Sequence, residues 1–453
     1  MAARPPATGL RESRLSLGSI SRGRTRKAHG RSRMILEQYC ALSMNVKHEV
    51  TGATRGTTLS ERVRVLFLAT RDWRHPQAAG GDVQMWEYAR YLASRGHFVT
   101  FMASRFPGAP TRERLEGINV VRLGSIYSLW LSTFLYYIRE CRRRYDVVVS
   151  EGLGGSRIPR LSPLYVKEPM ITEWHQVHDP LFRAQYPRVL VPLLNAVERF
   201  TAYVHRNTLV QALTEEAREA FLRLGFKPGN VFVLPVSIRN EWICDIRPSV
   251  TTQPTVLWLG KFRRYKCPMH IIEAARQVVR QLPDSKFLFV GREDDRKLYR
   301  LLRDATREYE LTKHVEFRLN VSEEEKKDIL RGSRVLVVPS SIEGFGIAIL
   351  EANVFGVPVV ASSGVPPSVA QDGFNGLRYQ FGDTSALARC IVQILTDNSL
   401  HRRLSENARR FAEQFAWSSV GRRFEDLVTS IVNEQRKKDS YNSTAKRVRQ
   451  NVG

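Results

Sequence analysis

The chain is poor in cysteine and has no long apolar segment, and both shortages narrow the class of protein. Its 453 residues include five cysteines, widely spread and without a CxxC pair, so neither a disulfide framework nor a zinc site is predicted. We therefore expect a reducing compartment, the cytoplasm. No run reaches about 18 apolar residues, so no membrane-spanning helix is predicted. Residues 1–33 also lack the apolar core of a secretory signal.

Acidic residues are scarce as well, and the resulting positive charge is concentrated at the two ends. The chain has 70 Lys and Arg against 45 Asp and Glu, a formal net charge of +25. Residues 1–60 hold eleven of these basic residues against three glutamates, and residues 436–453 hold six against one aspartate. About half of the excess therefore lies outside the central 375 residues, which are only mildly basic. Interleaved aromatics, zinc spacing and RNP-like runs are absent, which disfavours a nucleic-acid binder.

From residue 62 onward, short apolar runs rich in β-branched residues alternate with helical segments. This alternation predicts an α/β fold with open parallel sheets that are covered on both faces. The alternation lapses over about 239–252, a stretch with turn formers and no period, and then restarts. We predict a basic extension, two doubly wound Rossmann-like domains, a crossover helix and a basic tail, at residues 1–60, 61–240, 250–415, 416–436 and 437–453.

Two such domains restrict the kind of ligand that the protein binds. Open α/β sheets bind ligands beyond the carboxyl ends of their strands, where helices begin. Two sheets that face each other would form a cleft with positive helix ends on both walls. An extended ligand that carries phosphate is the expected occupant.

The most informative local sequence is PSSIEGFGIAILEANVFGVPVVAS, at residues 339–362. A predicted strand leads into the turn EGFG, and a helix follows it. Gly344 and Gly346 would let backbone N–H groups approach an anion closely, with Phe345 between them. Glu343 suits a sugar hydroxyl, and Glu351 suits the paired hydroxyls of a ribose. The alternative is that Glu343 caps a helix and Glu351 is a solvated helix residue, but the glycines and the flanking strands favour a site.

A second candidate is LGKFRRYKCP, at residues 259–268, directly after the first strand of the second domain. Lys261 and Lys266 flank a short loop, and two ammonium groups there would neutralise a diphosphate without a metal ion. The alternative is a solvated basic turn, because Arg263 and Arg264 lie between the lysines and cannot all point at one ligand.

The first domain offers weaker candidates. Gly80 and Gly81 precede a helix and resemble a shortened phosphate-binding turn, although a pair of glycines alone favours an ordinary tight turn. His175, in ITEWHQVHDP, follows a predicted strand and would either bind a sugar hydroxyl and handle a proton or pack as a structural histidine. No HxxH-plus-carboxylate spacing supports a zinc site here.

Together these segments resemble the family 4 glycosyltransferases, which have the GT-B fold. The likeness covers about residues 62–436. EGFGIAILEA is similar to the E-x7-E motif of that family, and AAGGDVQ, LGKFRRYK, SEEEKKDILRGSRVLVVPS and DGFNG occur in the family's order. The resemblance implies a retaining hexosyltransferase that moves a sugar from a nucleotide-diphosphate sugar to a hydroxyl of a lipid, a glycan or a small molecule.

The same resemblance implies roles for individual residues. Glu343 would contact hydroxyls of the donor sugar, and Glu351 would hold the nucleotide ribose. Lys261 and Lys266 would hold the diphosphate, although the family usually has Arg at the first position. His175 resembles the cleft histidine near the reacting sugar.

The glycines complete the implied donor site. Gly80 and Gly81 would let the first domain's helix approach the donor, and Gly344, Phe345 and Gly346 would form the turn beneath it. Members of the family generally need no bound metal, so no cofactor is expected besides the nucleotide-sugar substrate.

Two other functions and one partner remain open from the sequence. A GT-B sugar-nucleotide epimerase would use the same donor pocket, and a basic protein that binds nucleic acid or a membrane surface would account for the charge alone. Residues 126–138, followed by four arginines up to Arg144, would form either an interfacial segment on the inner face of an anionic membrane or a core helix with a basic end.

Overall fold

The computed structural model of the protein describes residues 62–78, 80–153, 159–238, 242 and 254–451. The predicted extension 1–60 and nearly all of the predicted linker lie outside the described residues. None of the helices in the described part is long and apolar enough to cross a membrane.

The first half is built on a sheet of eight strands among the described residues. These strands are Arg64–Leu68 (β1), Phe98–Ser104 (β2), Arg112–Leu115 (β3), Ile118–Leu123 (β4), Val147–Glu151 (β5), Met170–Glu173 (β6), Leu209–Ala212 (β7) and Val231–Val233 (β8). Their order in the sheet is β3-β4-β2-β1-β5-β6-β7-β8, and only the pairing of β3 with β4 is antiparallel. The chain therefore extends the sheet in both directions from β1, and its topological switch point lies between β1 and β5.

Five helices accompany this sheet in the part of the first half that the structure describes. They are Gly80–Ser94 (α1), Leu129–Tyr136 (α2), Asp179–Gln185 (α3), Val191–His205 (α4) and Glu215–Leu224 (α5). α5 shows why the sequence folds as it does here. Thr214 accepts a hydrogen bond from Ala217 N at its start, and Gly225 ends it in the left-handed conformation, with φ 106°.

The second half is built on a fully parallel sheet. Its strands are Thr255–Lys261 (β9), Lys286–Arg292 (β10), Val315–Leu319 (β11), Val335–Val338 (β12), Val359–Ser362 (β13) and Gly376–Tyr379 (β14), in the order β11-β10-β9-β12-β13-β14. Val256 and Trp258 belong to one apolar core, and Leu257 belongs to another on the opposite face. This alternation is what a strand buried on both faces requires.

Helices cover both faces of the second sheet, and a last helix follows them. They are Met269–Gln281 (α6), Arg296–Glu308 (α7), Glu323–Arg331 (α8), Ile347–Val354 (α9), Thr384–Thr396 (α10), Asn398–Glu413 (α11) and Trp417–Asn451 (α12).

The last helix returns the chain to the first half. Its Phe424 stacks on Tyr88 of α1 with ring centroids 4.2 Å apart, and Glu425 pairs with Arg95 at 3.2 Å and with His97 at 3.1 Å. The chain returns beside the point where it left. Ile238 N donates to the carbonyl of Phe415 at 2.8 Å.

The predicted end of this crossover helix at residue 436 is too early, and the predicted tail 437–453 is largely helical. α12 continues to Asn451. The reason is visible in the sequence, because residues 437–451 contain neither the glycine nor the proline that would stop a helix.

Candidate active site

The predicted site residues meet in one cavity between the two halves. This cavity has a volume of about 790 Å³. Its lining comes from the carboxyl ends of β9, β10 and β12 in the second sheet and, in the first half, from the start of α1 and the residues after β6, β7 and β8, as expected for two doubly wound sheets. Its lining includes all ten residues singled out from the sequence, namely Gly80, Gly81, His175, Lys261, Lys266, Glu343, Gly344, Phe345, Gly346 and Glu351.

Lys266 and Glu343 form an ion pair on the floor of this cavity. Glu343 accepts hydrogen bonds from the ammonium of Lys266 and, at 2.7 Å, from the hydroxyl of Ser340. The two side chains are only 20% and 8% exposed. Burial opposes the charge on Lys266, but Glu343 more than offsets it, and the pKa of Lys266 is raised. Glu343 is therefore a positioned, paired carboxylate and not a solvated helix cap.

Lys261 enters the cavity from the end of β9. Burial, with Arg292 beside it, lowers the pKa of Lys261 to about 8. Arg263, which also lines the cavity, pairs with Asp294 at 2.8 Å, and Arg264 lies 3.7 Å from a carboxylate oxygen of Asp295, the cap of α7. The loop therefore brings Lys261, Lys266 and the paired Arg263 to the cavity, a set of cations that suits a polyanion.

Glu351 has a partner that the sequence did not reveal. Lys326 of α8 donates to its carboxylate at 3.0 Å, and the two side chains are 16% and 18% exposed. Burial raises the pKa of Glu351, although Lys326 works against that shift. Lys326 also lies 4.8 Å from the ring centroid of Trp242. The only signal for Lys326 in the sequence is its place in the charged segment SEEEKKD. Nothing in that segment distinguishes Lys326 from Lys327 as the partner of Glu351.

Three glycines of the site lie at close approaches, two of them across the cleft. A Cβ on Gly81 would lie 2.1 Å from Nε2 of His175, and one on Gly80 would lie 2.5 Å from Cδ1 of Ile347 in the other half. A Cβ on Gly344 would similarly meet Gln176 at 2.6 Å. Gly80 and Gly81 are thus the first residues of α1 at a tight contact, and not a separate turn.

Two further predicted residues differ in what they contact. Burial, and the neighbouring His178, lower the pKa of His175 to about 4, so its imidazole is neutral at physiological pH. Phe345 is buried, and its ring meets that of Phe415 edge-on at 5.6 Å. Phe345 therefore anchors the turn, whereas His175 offers a neutral hydrogen-bonding group to the cleft.

A second cavity of about 730 Å³ adjoins the same turn on the side of the first half. Glu343 and Gly344 form part of its wall, and residues of α4 and α5, including Tyr203, form much of the rest. Glu216 of α5, also in this wall, accepts hydrogen bonds from the backbone N–H and hydroxyl of Ser368, at 3.0 and 2.7 Å. The turn at Glu343 is thus shared by two cavities.

Metal ligands are not clustered in the described part of the chain. No group of three or more His, Cys, Asp or Glu side chains there is arranged to hold a metal ion.

Two family models match the chain, one on each half. The model described as Glycosyltransferase Family 4 matches residues 78–241, and the one described as Glycosyl transferases group 1 matches residues 244–411. The chain belongs to glycosyltransferase family 4. The matched regions of this transferase contain every residue of the predicted site.

Curated relatives of the transferase fall into two groups by the length of the match. The N-acetyl-alpha-D-glucosaminyl L-malate synthase of Bacillus anthracis is 27% identical over 80% of this chain and 97% of its own length. The D-inositol 3-phosphate glycosyltransferase of Streptomyces avermitilis is 36% identical, but the match spans only 27% of this chain and 27% of that relative.

Solved structures show the fold of the transferase. The sucrose-phosphate synthase from Thermosynechococcus elongatus superposes with a TM-score of 0.69 and 21% identity over 82% of this chain and all of that chain. Alr3699/HepE from Anabaena, in complex with UDP-glucose, superposes with a TM-score of 0.64 and 15% identity over 82% of this chain and all of that chain. The prediction of two doubly wound domains of the GT-B type is confirmed.

Proposed function

We propose that this glycosyltransferase moves a hexose from a nucleotide-diphosphate sugar to an acceptor hydroxyl, with retention of anomeric configuration. One observation carries the proposal. Lys261, Lys266, Glu343 and Glu351 line one cavity between two parallel sheets, at the strand ends where such sheets bind ligands. The complex of Alr3699/HepE with UDP-glucose, a protein of the same fold, supports a donor of this class.

In this proposal the side chains of the second half hold the donor. Glu351 accepts hydrogen bonds from the ribose hydroxyls, and Lys326 keeps its carboxylate oriented. Lys261 and Lys266 contact the diphosphate, with the N–H groups of the turn at Gly346. The charge that develops on the departing diphosphate is then stabilised by fixed cations in a cavity that needs little reorganisation. We assign this role to side chains and expect no metal requirement.

The reacting sugar lies, in this proposal, between Glu343 and His175. Glu343 is already neutralised by Lys266, so we assign it to orienting a sugar hydroxyl and not to covalent attack. The neutral imidazole of His175 hydrogen-bonds the sugar from the opposite wall. Retention then follows if the acceptor attacks on the face from which the diphosphate leaves.

The acceptor enters, in this proposal, through the second cavity, which reaches the same turn from the first half. Its wall includes Glu343 and Gly344, so a hydroxyl placed there approaches the sugar side of the donor. The thiols of Cys141, Cys267 and Cys390 are free, which suits the cytoplasmic location that we propose.

The proposal is tested by a donor panel with product analysis. The full chain is incubated with UDP-, GDP- and ADP-sugars and with polyol, glycan and lipid acceptors, and products are followed by proton NMR. We expect one donor to yield an α- or β-glycoside with the same anomeric configuration as that donor. An inverted product would contradict retention. Formation of an epimeric nucleotide sugar without a glycoside would replace the transferase with an epimerase.

The pKa of Lys261 leads to a prediction about pH. Only its charged form attracts the diphosphate, so the affinity of the free enzyme for UDP should fall by about tenfold between pH 7 and pH 9, as pH rises through the pKa near 8. Calorimetric titration measures this. In the Lys261→Arg variant the side chain stays charged over this range, while any titration of the nucleotide itself is the same as with the wild type. The affinity of this variant for UDP should therefore lack the tenfold fall between pH 7 and pH 9. Parallel profiles for the two proteins would remove Lys261 from the diphosphate site.

A further inference from the structure

An apolar surface on the first half has no partner within the described chain. It combines the outer side of α2, the short 3-10 turn Ser162–Leu164, and the outer side of α4. Of the 17 large apolar side chains that the structure describes as exposed, eleven belong to this surface. We call it the apolar face, and it consists of Tyr127, Trp130, Leu131, Leu135, Ile138, Leu164, Val189, Leu190, Leu193, Phe200 and Tyr203.

α2 presents apolar residues on both of its sides. Leu129 and Thr133 are buried, and Tyr137 continues this inner row. The outer row places Trp130, at 51% exposure, beside Leu131, and Leu131 lies one helical turn before Leu135. A helix that is apolar all round is normally covered on all sides. The outer row is therefore an apolar surface that the described chain leaves uncovered. The interpretation of residues 126–138 as a simple core helix is wrong for this row.

The three elements of the apolar face are joined by packing. Phe134 of α2 meets the ring of Tyr165 edge-on at 5.2 Å, and Tyr165 directly follows the exposed Leu164. The 3-10 segment Ser162–Leu164 also packs against α4. On α4, Leu193 and Phe200 are seven residues apart, which is the spacing of one helical stripe. The exposed residues therefore form one linked surface and not scattered side chains.

The charge around the apolar face is mainly positive. Exposed Arg139, Arg142, Arg143 and Arg144 follow α2, and the acids beside them are Glu140, which lies 3.9 Å from Arg144, and Glu168, which accepts a hydrogen bond from Arg143 N at 2.6 Å. Arg188 just before α4 and Arg199 on it are exposed, and Arg206 at its end lies over the ring of Tyr203 at 3.7 Å. The acid of that helix, Glu198, is buried and bound by His178.

We propose that the apolar face docks the protein on an anionic lipid bilayer. Tryptophan, tyrosine and leucine enter the boundary between headgroups and acyl chains, and flanking arginines attract anionic headgroups. A symmetric contact with a second copy fits less well, because it would bring the arginine clusters of two chains together. α4 also lines the second cavity, so docking brings that cavity to the lipid. If the proposed function holds, an acceptor hydroxyl carried by a lipid would then reach the donor.

The test is co-sedimentation of the full chain with vesicles of phosphatidylcholine alone or mixed equally with phosphatidylglycerol, with no substrate present. We expect at least about tenfold stronger partitioning on the anionic vesicles. Trp130→Ser with Leu131→Ser should lower it about tenfold, as should Arg142→Glu with Arg143→Glu. Leu301→Ser, which removes an equally exposed leucine on α7, and Arg300→Glu with Arg303→Glu serve as matched controls and should bind as wild type.

A second readout locates the contact itself. Brominated lipid should quench the fluorescence of the wild type, and Trp130→Phe should still bind while losing that quenching. Equal binding of the face variants and the wild type would overturn the proposal, as would equal binding to neutral vesicles. Light scattering that shows a dimer abolished by the same variants, with no lipid binding, would assign the surface to self-association. None of these readouts depends on turnover. A failure of the docking proposal can therefore be told apart from a failure of the proposed function.

Discussion

Replacing Lys266 by methionine is expected to lower kcat/KM about a hundredfold, the scale of one lost contact to charge that develops in a transition state. The variant loses a cation from the diphosphate site. It also leaves the Glu343 carboxylate, now without its partner, beside a leaving group that becomes more negative. Steady-state kinetics with the donor found in the panel measures the loss.

Two further variants make this result interpretable. Lys327→Met removes a lysine of similar exposure, 13%, that pairs with Glu324 outside the cavity, and it should leave kcat/KM unchanged. Glu343→Gln should restore part of the loss when combined with Lys266→Met, because the uncompensated carboxylate is gone. Wild-type turnover in Lys266→Met would remove this lysine from the mechanism.

Gly81→Ala is expected to lower kcat/KM by about a hundredfold, whereas Gly80→Ala should cost several times less. The new methyl group of Gly81→Ala would meet the imidazole ring of His175 at 2.1 Å and must displace it, and about 1 Å of misplacement at a reacting centre has an effect of that size. In Gly80→Ala the methyl group meets only the flexible end of Ile347.

Gly332→Ala is the matched control for this pair. Gly332 has φ −81°, which any residue adopts, and a Cβ there would come no closer than 3.4 Å to its neighbours. Its turnover should match the wild type, and thermal melts should confirm that all three variants fold. If Gly81→Ala and Gly80→Ala behaved alike, the placement of His175 against Gly81 would not matter for catalysis.

The regular parts of the fold could be predicted from the sequence because buried parallel strands are nearly continuous apolar runs. The apolar runs that follow residue 62 became strands, the first of them β1. β3 was not predicted, because RERL is charged and lies on the edge of the sheet. β14 was not predicted either, since GLRY is short and begins with a glycine that other backbone approaches closely.

The residues of the site also divide into those that the sequence could predict and those that it could not. Lys261, Lys266 and Glu343 could be found because they lie at or shortly after the end of a strand, where local sequence is informative, and Glu351 follows in the helix that the turn at Glu343 begins. Lys326 could not be found, because it reaches Glu351 from a separate helix whose charged sequence does not distinguish it from its neighbours. The apolar face was ambiguous for another reason. Composition shows that a helix is apolar, but only packing shows which of its sides remains uncovered.

The return of the chain at Ile238 has a consequence for motion. The outgoing segment and the returning one are hydrogen bonded to each other, through Ile238 N to Phe415 and through Trp417 N to the carbonyl of Ile238 at 3.1 Å. The chain leaves the first half and returns to it beside one point, and we expect that point to act as a hinge. Rotation about it would separate Gly80 from Ile347 and Gly344 from Gln176 together. A single angle would then set both the entry of the donor and the alignment of the groups proposed to act on it.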